Sequence, residues 1–159
     1  MGNKSQGEMT ELDILEFAME IEQNAAKTYL DAAGTVLNHK AKVLLMNLAQ
    51  EELDHRQMLA GIAEKVEAHD PLPKKFSRSP VQEVDDSIKN LKIGPDSTVE
   101  EIVLHAMGRE KALLEIYEAF ALFLRAGEFR DLCEFLADEE RKHLADLDKL
   151  LQQERGTAE

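Results

Sequence analysis

One stretch of this chain occurs twice. Leu48-Ala49-Gln50-Glu51-Glu52-Leu53-Asp54-His55 returns as Leu136-Ala137-Asp138-Glu139-Glu140-Arg141-Lys142-His143. The offset is 88 residues, and it holds without a gap across much of the sequence. It pairs Thr10 with Thr98, Ile14 with Ile102, Ala18 with Ala106, Glu22 with Glu110 and Tyr29 with Tyr117. Each Glu-x-x-His therefore has a second glutamate 30 residues upstream, Glu22 before Glu52 and Glu110 before Glu140, with a tyrosine seven residues after each upstream glutamate. Four carboxylates and two imidazoles in two equivalent half-sites are what a two-metal centre inside a helix bundle requires.

The pattern implies helices. Apolar residues Ile14, Phe17, Ala18, Ile21, Ala25 and Leu30 follow helical spacing, and Thr10-Glu11-Leu12-Asp13 and Thr98-Val99-Glu100-Glu101 read as N-caps with an acid at N3. The spacing predicts helices over about 10–36, 40–68, 98–125 and 128–154, all to within roughly two to four residues. Gly34 and Asn38 mark the first turn and Gly127 the second. Residues 1–9 and 155–159 are expected as tails. Between the hairpins lies 69–97, which carries all four prolines and a candidate short helix near 81–91. That is long for a connection in a compact domain, unless it crosses the length of a bundle. The expected fold is all-α: a four-helix bundle of two hairpins in up-down-down-up order, joined by a long crossover and related by a pseudo-two-fold axis.

Composition agrees. Of 159 residues 43% are apolar and only 5% aromatic, with no Trp, as suits one helical domain. The formal net charge of −13 argues against nucleic acid or an anionic membrane as a partner. Cys133 is the only cysteine, so neither an intrachain disulfide nor a four-cysteine iron site can form within the chain. The polar start does not read as a signal peptide, and a cytoplasmic location is the expectation.

In an antiparallel hairpin, residues equidistant from the turn lie at one height. Glu22 and Glu52 are centred on residue 37, and Glu110 and Glu140 on residue 125, both predicted turns. Each carboxylate is then about 22 Å along its helix from the turn. Glu52 and His55, like Glu140 and His143, share a helix face at i and i+3. Glu22 and Glu110 become terminal ligands, and Glu52 and Glu140, on facing helices, become candidate bridges. Without metal, four buried carboxylates would repel one another and lose hydration; two divalent cations remove both costs. Mixed oxygen and nitrogen ligands suit Fe, Mn or Zn alike.

A lone Glu-x-x-His is usually surface charge. The register of two copies with two further glutamates carries the metal reading. Glu20 competes with Glu22, but its repeat mate is Gly108. Tyr29 and Tyr117 fit either core packing or hydrogen bonding to a ligand. Glu51 and Glu139, one turn before the histidines, fit either an orienting role or, more simply, solvent-facing charge; Cys133 (repeat mate Leu45) reads as core, and His39, His69 and His105 carry no motif.

These residues resemble the ferritin-like diiron-carboxylate superfamily, and most of all its rubrerythrin-like branch. Glu22 with Tyr29, Glu52-Leu53-Asp54-His55, Glu110 with Tyr117, and Glu140-Arg141-Lys142-His143 carry the likeness, which spans about residues 10–154. The chain departs from full rubrerythrins in lacking a rubredoxin domain. It also has Leu113 where they carry an extra carboxylate one turn after the third-helix ligand.

The resemblance implies a site for two iron ions, bridged by oxide or hydroxide when oxidised, with Mn or Zn as alternatives. It implies an oxidoreductase reacting with hydrogen peroxide or dioxygen, of peroxidase or ferroxidase type, fed by an external electron donor. A non-catalytic iron-binding or iron-delivery protein and a diiron substrate oxygenase are the rival expectations. A homodimer is expected on general frequency.

Overall fold

The computed structural model describes residues 10–66 and 92–156. They form four helices: α1 (Glu11–Thr35), α2 (His39–Ala63), α3 (Val99–Phe123) and α4 (Glu128–Gly156). Residues 1–9 and 157–159, and most of the predicted crossover with its short helix near 81–91, lie outside the described residues.

The helix starts follow from local chemistry. Thr10 Oγ1 accepts from Asp13 N at 3.2 Å, while the Asp13 carboxylate accepts from Thr10 N at 2.8 Å. Its repeat mate does the same: Thr98 Oγ1 accepts from Glu101 N at 3.2 Å, and Glu101 accepts from Thr98 N at 3.0 Å. Both are complete capping boxes, satisfying backbone donors that the first helical turn leaves over. Asn38 Oδ1 caps α2 by accepting from Ala41 N at 3.0 Å. Gly34 lies inside α1 rather than in the turn, which is made by Val36–Asn38. α2 ends at Ala63, short of the expected 68, because Lys65 N donates to Ile62 O at 2.9 Å in a tighter turn that stops the α-helical ladder.

The buried side chains sort the helix directions. One core cluster holds Ile14, Leu15 and Ala18 from the start of α1, Leu59 from the end of α2, Ile116 and Phe120 from the end of α3, and Phe129 and Cys133 from the start of α4. The other holds Ala32 and Ala33 from the end of α1, Ala41 and Leu45 from the start of α2, Ile102 and Val103 from the start of α3, and Leu147 and Leu151 from the end of α4. The order is therefore up-down-down-up. α2 ends at the opposite end of the bundle from where α3 begins, about 37 Å away for 25 residues of helix. The segment entering α3 is held there by Leu37 N donating to Pro95 O at 3.1 Å. This is an all-α four-helix bundle consistent with the ferritin-like fold. Cys133 and Leu45 are both fully buried core residues, as the repeat implied.

Candidate metal centre

Each helix brings its ligand candidate inward on an apolar stripe. Ala18, Ile21, Ala25 and Tyr29 surround Glu22 on α1; Leu48, Ala49 and Leu59 flank Glu52 and His55 on α2. On α3 the stripe is Ala106, Glu110, Leu113 and Tyr117, and on α4 it is Leu136, Ala137, Glu140 and Leu147. The apolar neighbours bury the carboxylates completely: Glu22, Glu52, Glu110 and Glu140 are all 0% exposed.

Between the two core clusters these side chains meet. His55 Nδ1 lies 3.3 Å from Glu140 Oε1, 3.8 Å from Glu22 Oε1 and 4.0 Å from Glu52 Oε2. His143 Nδ1 lies 3.3 Å from Glu140 Oε2 and 4.0 Å from Glu110 Oε2. The two imidazoles stack with centroids 5.5 Å apart and planes 12° from parallel. Glu140 thus presents one oxygen to each histidine, the disposition of a bridging carboxylate.

Six of the eight carboxylate oxygens in the layer, and both Nδ1 atoms, are buried without a hydrogen-bond partner. Buried polar atoms are normally satisfied, and unsatisfied acceptors gathered at one point suit a cation. Two groups have donor atoms mutually within 4.8 Å, Glu22 with Glu52 and His55, and His55 with Glu140 and His143. Glu110 is in neither, although its carboxylate reaches the same layer.

Protons do part of a cation's work. Burial, then the charge of Glu52, pushes Glu22 well above the usual carboxylate range. Burial, with Glu52 and Glu140 beside it, does the same to Glu110. Burial would also raise Glu52 and Glu140, but it is outweighed. The charge of Arg109 and the nearness of Glu22 hold Glu52 low; the close approach of Glu110, His143 and His55 holds Glu140 low. Burial opposes the charge on His55, yet Glu140 and Glu22 push its pKa up to about 11. The close approach of Glu140 raises His143 as well.

Two further side chains reach the site. Glu51 lies 3.7 Å from Nε2 of His143, across the hairpin interface, so it is not simply solvent-facing; Glu139 instead pairs with Lys142 at 2.6 Å. The second, which the sequence reading omitted, is Arg109, 3% exposed in the ligand layer. Its Nη2 donates to Glu52 Oε2 at 3.0 Å, and its Nη1 lies 2.9 Å from Glu52 Oε1. Nη1 also donates to the Tyr29 hydroxyl at 3.2 Å. The signal was in the repeat: Arg109 falls opposite Ile21, a buried core residue. The tyrosines consequently differ. Tyr117 donates a short hydrogen bond to Glu22 across the bundle, while Tyr29 accepts from Arg109.

The family model described as Rubrerythrin matches residues 13–151. The chain belongs to the rubrerythrin family. That match covers all four helices almost completely, and the family is a ferritin-like diiron family, in keeping with the carboxylate and histidine groups that could hold metal here. No curated protein sequence matches the chain. This rubrerythrin-family chain shows no rubredoxin domain within its 159 residues. At the position of the extra rubrerythrin carboxylate it places Leu113 in the apolar core. Among its described residues no helix is long and apolar enough to cross a membrane.

Proposed function

We propose that the protein is a diiron oxidoreductase that reduces hydrogen peroxide or dioxygen. The observation that carries this reading is the layer of buried, unsatisfied oxygen and nitrogen donors at mid-bundle, converging from all four helices. Nothing in an apolar core requires such a layer, and its cost without cations is high.

Glu52 and Glu140 would bridge two iron ions, Glu22 and Glu110 would hold one each, and His55 and His143 would each give Nδ1. Bound there, two ferrous ions supply two electrons, one apiece, enough to reduce one hydrogen peroxide to two waters with two protons. Tyr117 fixes the orientation of Glu22 through its hydrogen bond. Glu51, half-exposed and 3.7 Å from Nε2 of the partly buried His143, would exchange protons between solvent and the site. The apolar clusters above and below exclude bulk water. An external donor would re-reduce the iron for repeated turnover, the protein acting as a cytoplasmic homodimer.

Anaerobic titration with Fe2+, followed by a stoichiometric pulse of hydrogen peroxide or dioxygen, tests this. The expected result is two irons per chain, rapid loss of oxidant and the near-ultraviolet absorption of paired ferric ions. Turnover with an added reductant then separates a peroxidase from a single-round ferroxidase. Two tightly bound metals with no oxidant consumed would replace the enzyme with an iron-binding protein.

A further inference from the structure

The repeat makes two half-sites from one pattern, and Arg109 is the side chain that breaks it. Around His55 Nδ1 stand three carboxylates within 4.0 Å: Glu22, Glu52 and Glu140. By the symmetry of the repeat, His143 should see Glu110, Glu140 and Glu52. It sees only the first two within that distance.

The reason is that both oxygens of Glu52 face the Arg109 guanidinium, at 2.9 and 3.0 Å. The same guanidinium lies 3.5 Å from Glu110 Oε1, so it stands between the two carboxylates that the His143 position lacks or holds loosely. It lies further from Glu22, at 3.9 Å. Tyr29 anchors it, accepting from Nη1 and presenting its ring 5.0 Å from Cζ.

We propose that Arg109 is a resident cation that holds Glu52 and crowds Glu110 in the metal-free protein, so that a first ion binds at the His55 position through Glu22 and Glu140, and the His143 position fills only when Glu52 exchanges the guanidinium for a metal ion. This rests on the diiron reading above and adds an order of loading to it. The physical basis is charge. Four carboxylates balance two divalent cations, and a guanidinium already bound to one of them competes with the second ion. A planar fork engaging both oxygens is a strong competitor, because each contact is a charge-assisted one. Arg109 touches ligands rather than oxidant, so it is a positioning residue. Its effect belongs in binding steps and metal-free stability rather than in chemistry alone.

The test is a calorimetric titration of Fe2+ without oxygen into the metal-free full chain, with thermal unfolding of the same metal-free protein. The wild type should bind in two resolved steps, the second weaker by about tenfold or more. In Arg109→Met the second step should tighten about tenfold and the first shift less than about threefold. The metal-free variant should also melt lower by about 10 °C, since a buried carboxylate has lost its partner.

Arg109→Lys restores the charge but not the fork, so metal-free melting should recover while the second step remains about threefold tighter than wild type. Should Arg109→Met fail to fold, this lysine variant carries the test. An unchanged second step in whichever variant is read overturns the proposal, as do two indistinguishable steps in the wild type. Those outcomes leave the diiron reading standing. Wild-type protein that binds no Fe2+ overturns the diiron reading and this inference with it.

Discussion

The His55 and His143 halves of the centre are built from the same sequence pattern and are not the same site. Both begin from capping boxes of equal geometry, Thr10 with Asp13 and Thr98 with Glu101. Both bring a glutamate and a Glu-x-x-His to one layer. In the His55 half, Tyr117 clasps Glu22 and three carboxylates surround Nδ1. In the other half Arg109 takes Tyr29 and Glu52, and His143 is the more exposed imidazole. A repeat enforces symmetry on backbones, because caps and apolar spacing set where helices lie. It does not enforce symmetry on a site, where one side chain decides which neighbour each ligand meets.

Glu140 offers the harshest test of the comparison, being shared equally. Glu140→Ala should abolish measurable binding at both positions, a loss of about 100-fold or more, since even outer partners of ligands cost 10–100-fold. Anaerobic Fe2+ calorimetry reads this directly; survival of one full-strength step would show that Glu140 does not bridge.

The terminal ligands should separate the halves. Glu22→Ala should remove the tighter step and Glu110→Ala the weaker. Tyr117→Phe frees Glu22 and should weaken the tighter step about tenfold, whereas Tyr29→Phe should leave it within about twofold. Equal effects from the two tyrosine variants would restore the symmetric picture.

The pH dependence distinguishes loaded from metal-free protein. The pKa of His55 is raised from an ordinary 6.5 to about 11 by Glu140 and Glu22 against the cost of burial, with Glu52 also facing it. Its proton therefore stabilises the metal-free fold fully below pH 6.5, and that stability drains away as pH rises towards 11. Glu22 and Glu110, raised by burial and by neighbouring carboxylates, act in the same sense from their ordinary 4.5 upward. Glu52 and Glu140 are lowered and act oppositely, their stabilisation being present above 4.5 and lost in acid. Metal must displace the proton on His55, and any that the raised Glu22, Glu110 and His143 carry, so loading near neutral pH should release protons and tighten with rising pH. Proton release is measured as the buffer dependence of the calorimetric heat. A metal-free melting temperature that rises from pH 7 to 9 would contradict the assigned protonation.

The smallest effects should be equal ones. Thr10→Ala and Thr98→Ala each remove one capping box, and each should cost about 1 kcal/mol by thermal or denaturant unfolding. Matching losses would show that the scaffold keeps the symmetry that the site has abandoned.

The 88-residue repeat made most of the architecture legible beforehand. Midpoints at 37 and 125 put both turns where they occur, and the length of the connection implied helices α2 and α3 running the same way. The extent of α2 was less legible. Its end at Ala63 depends on a local turn through Ile62 and Lys65 that helical periodicity does not encode. The two readings open for Glu51 could not be separated from its own helix, because the histidine it approaches is His143 of the other hairpin.

By itself the sequence determined four helices, the caps of α1 and α3, and a common height for Glu22, Glu52, His55, Glu110, Glu140 and His143. Those properties follow from hydrogen bonding and spacing within single helices and hairpins. Only the tertiary structure decided which hydroxyl meets which carboxylate, that Arg109 is buried against Glu52 and Tyr29, and that Glu140 serves both histidines. Such contacts join residues 57 to 95 positions apart. Their partners are chosen by how two hairpins dock, and in a buried layer of low dielectric each charge is governed by the nearest groups, whatever their separation along the chain.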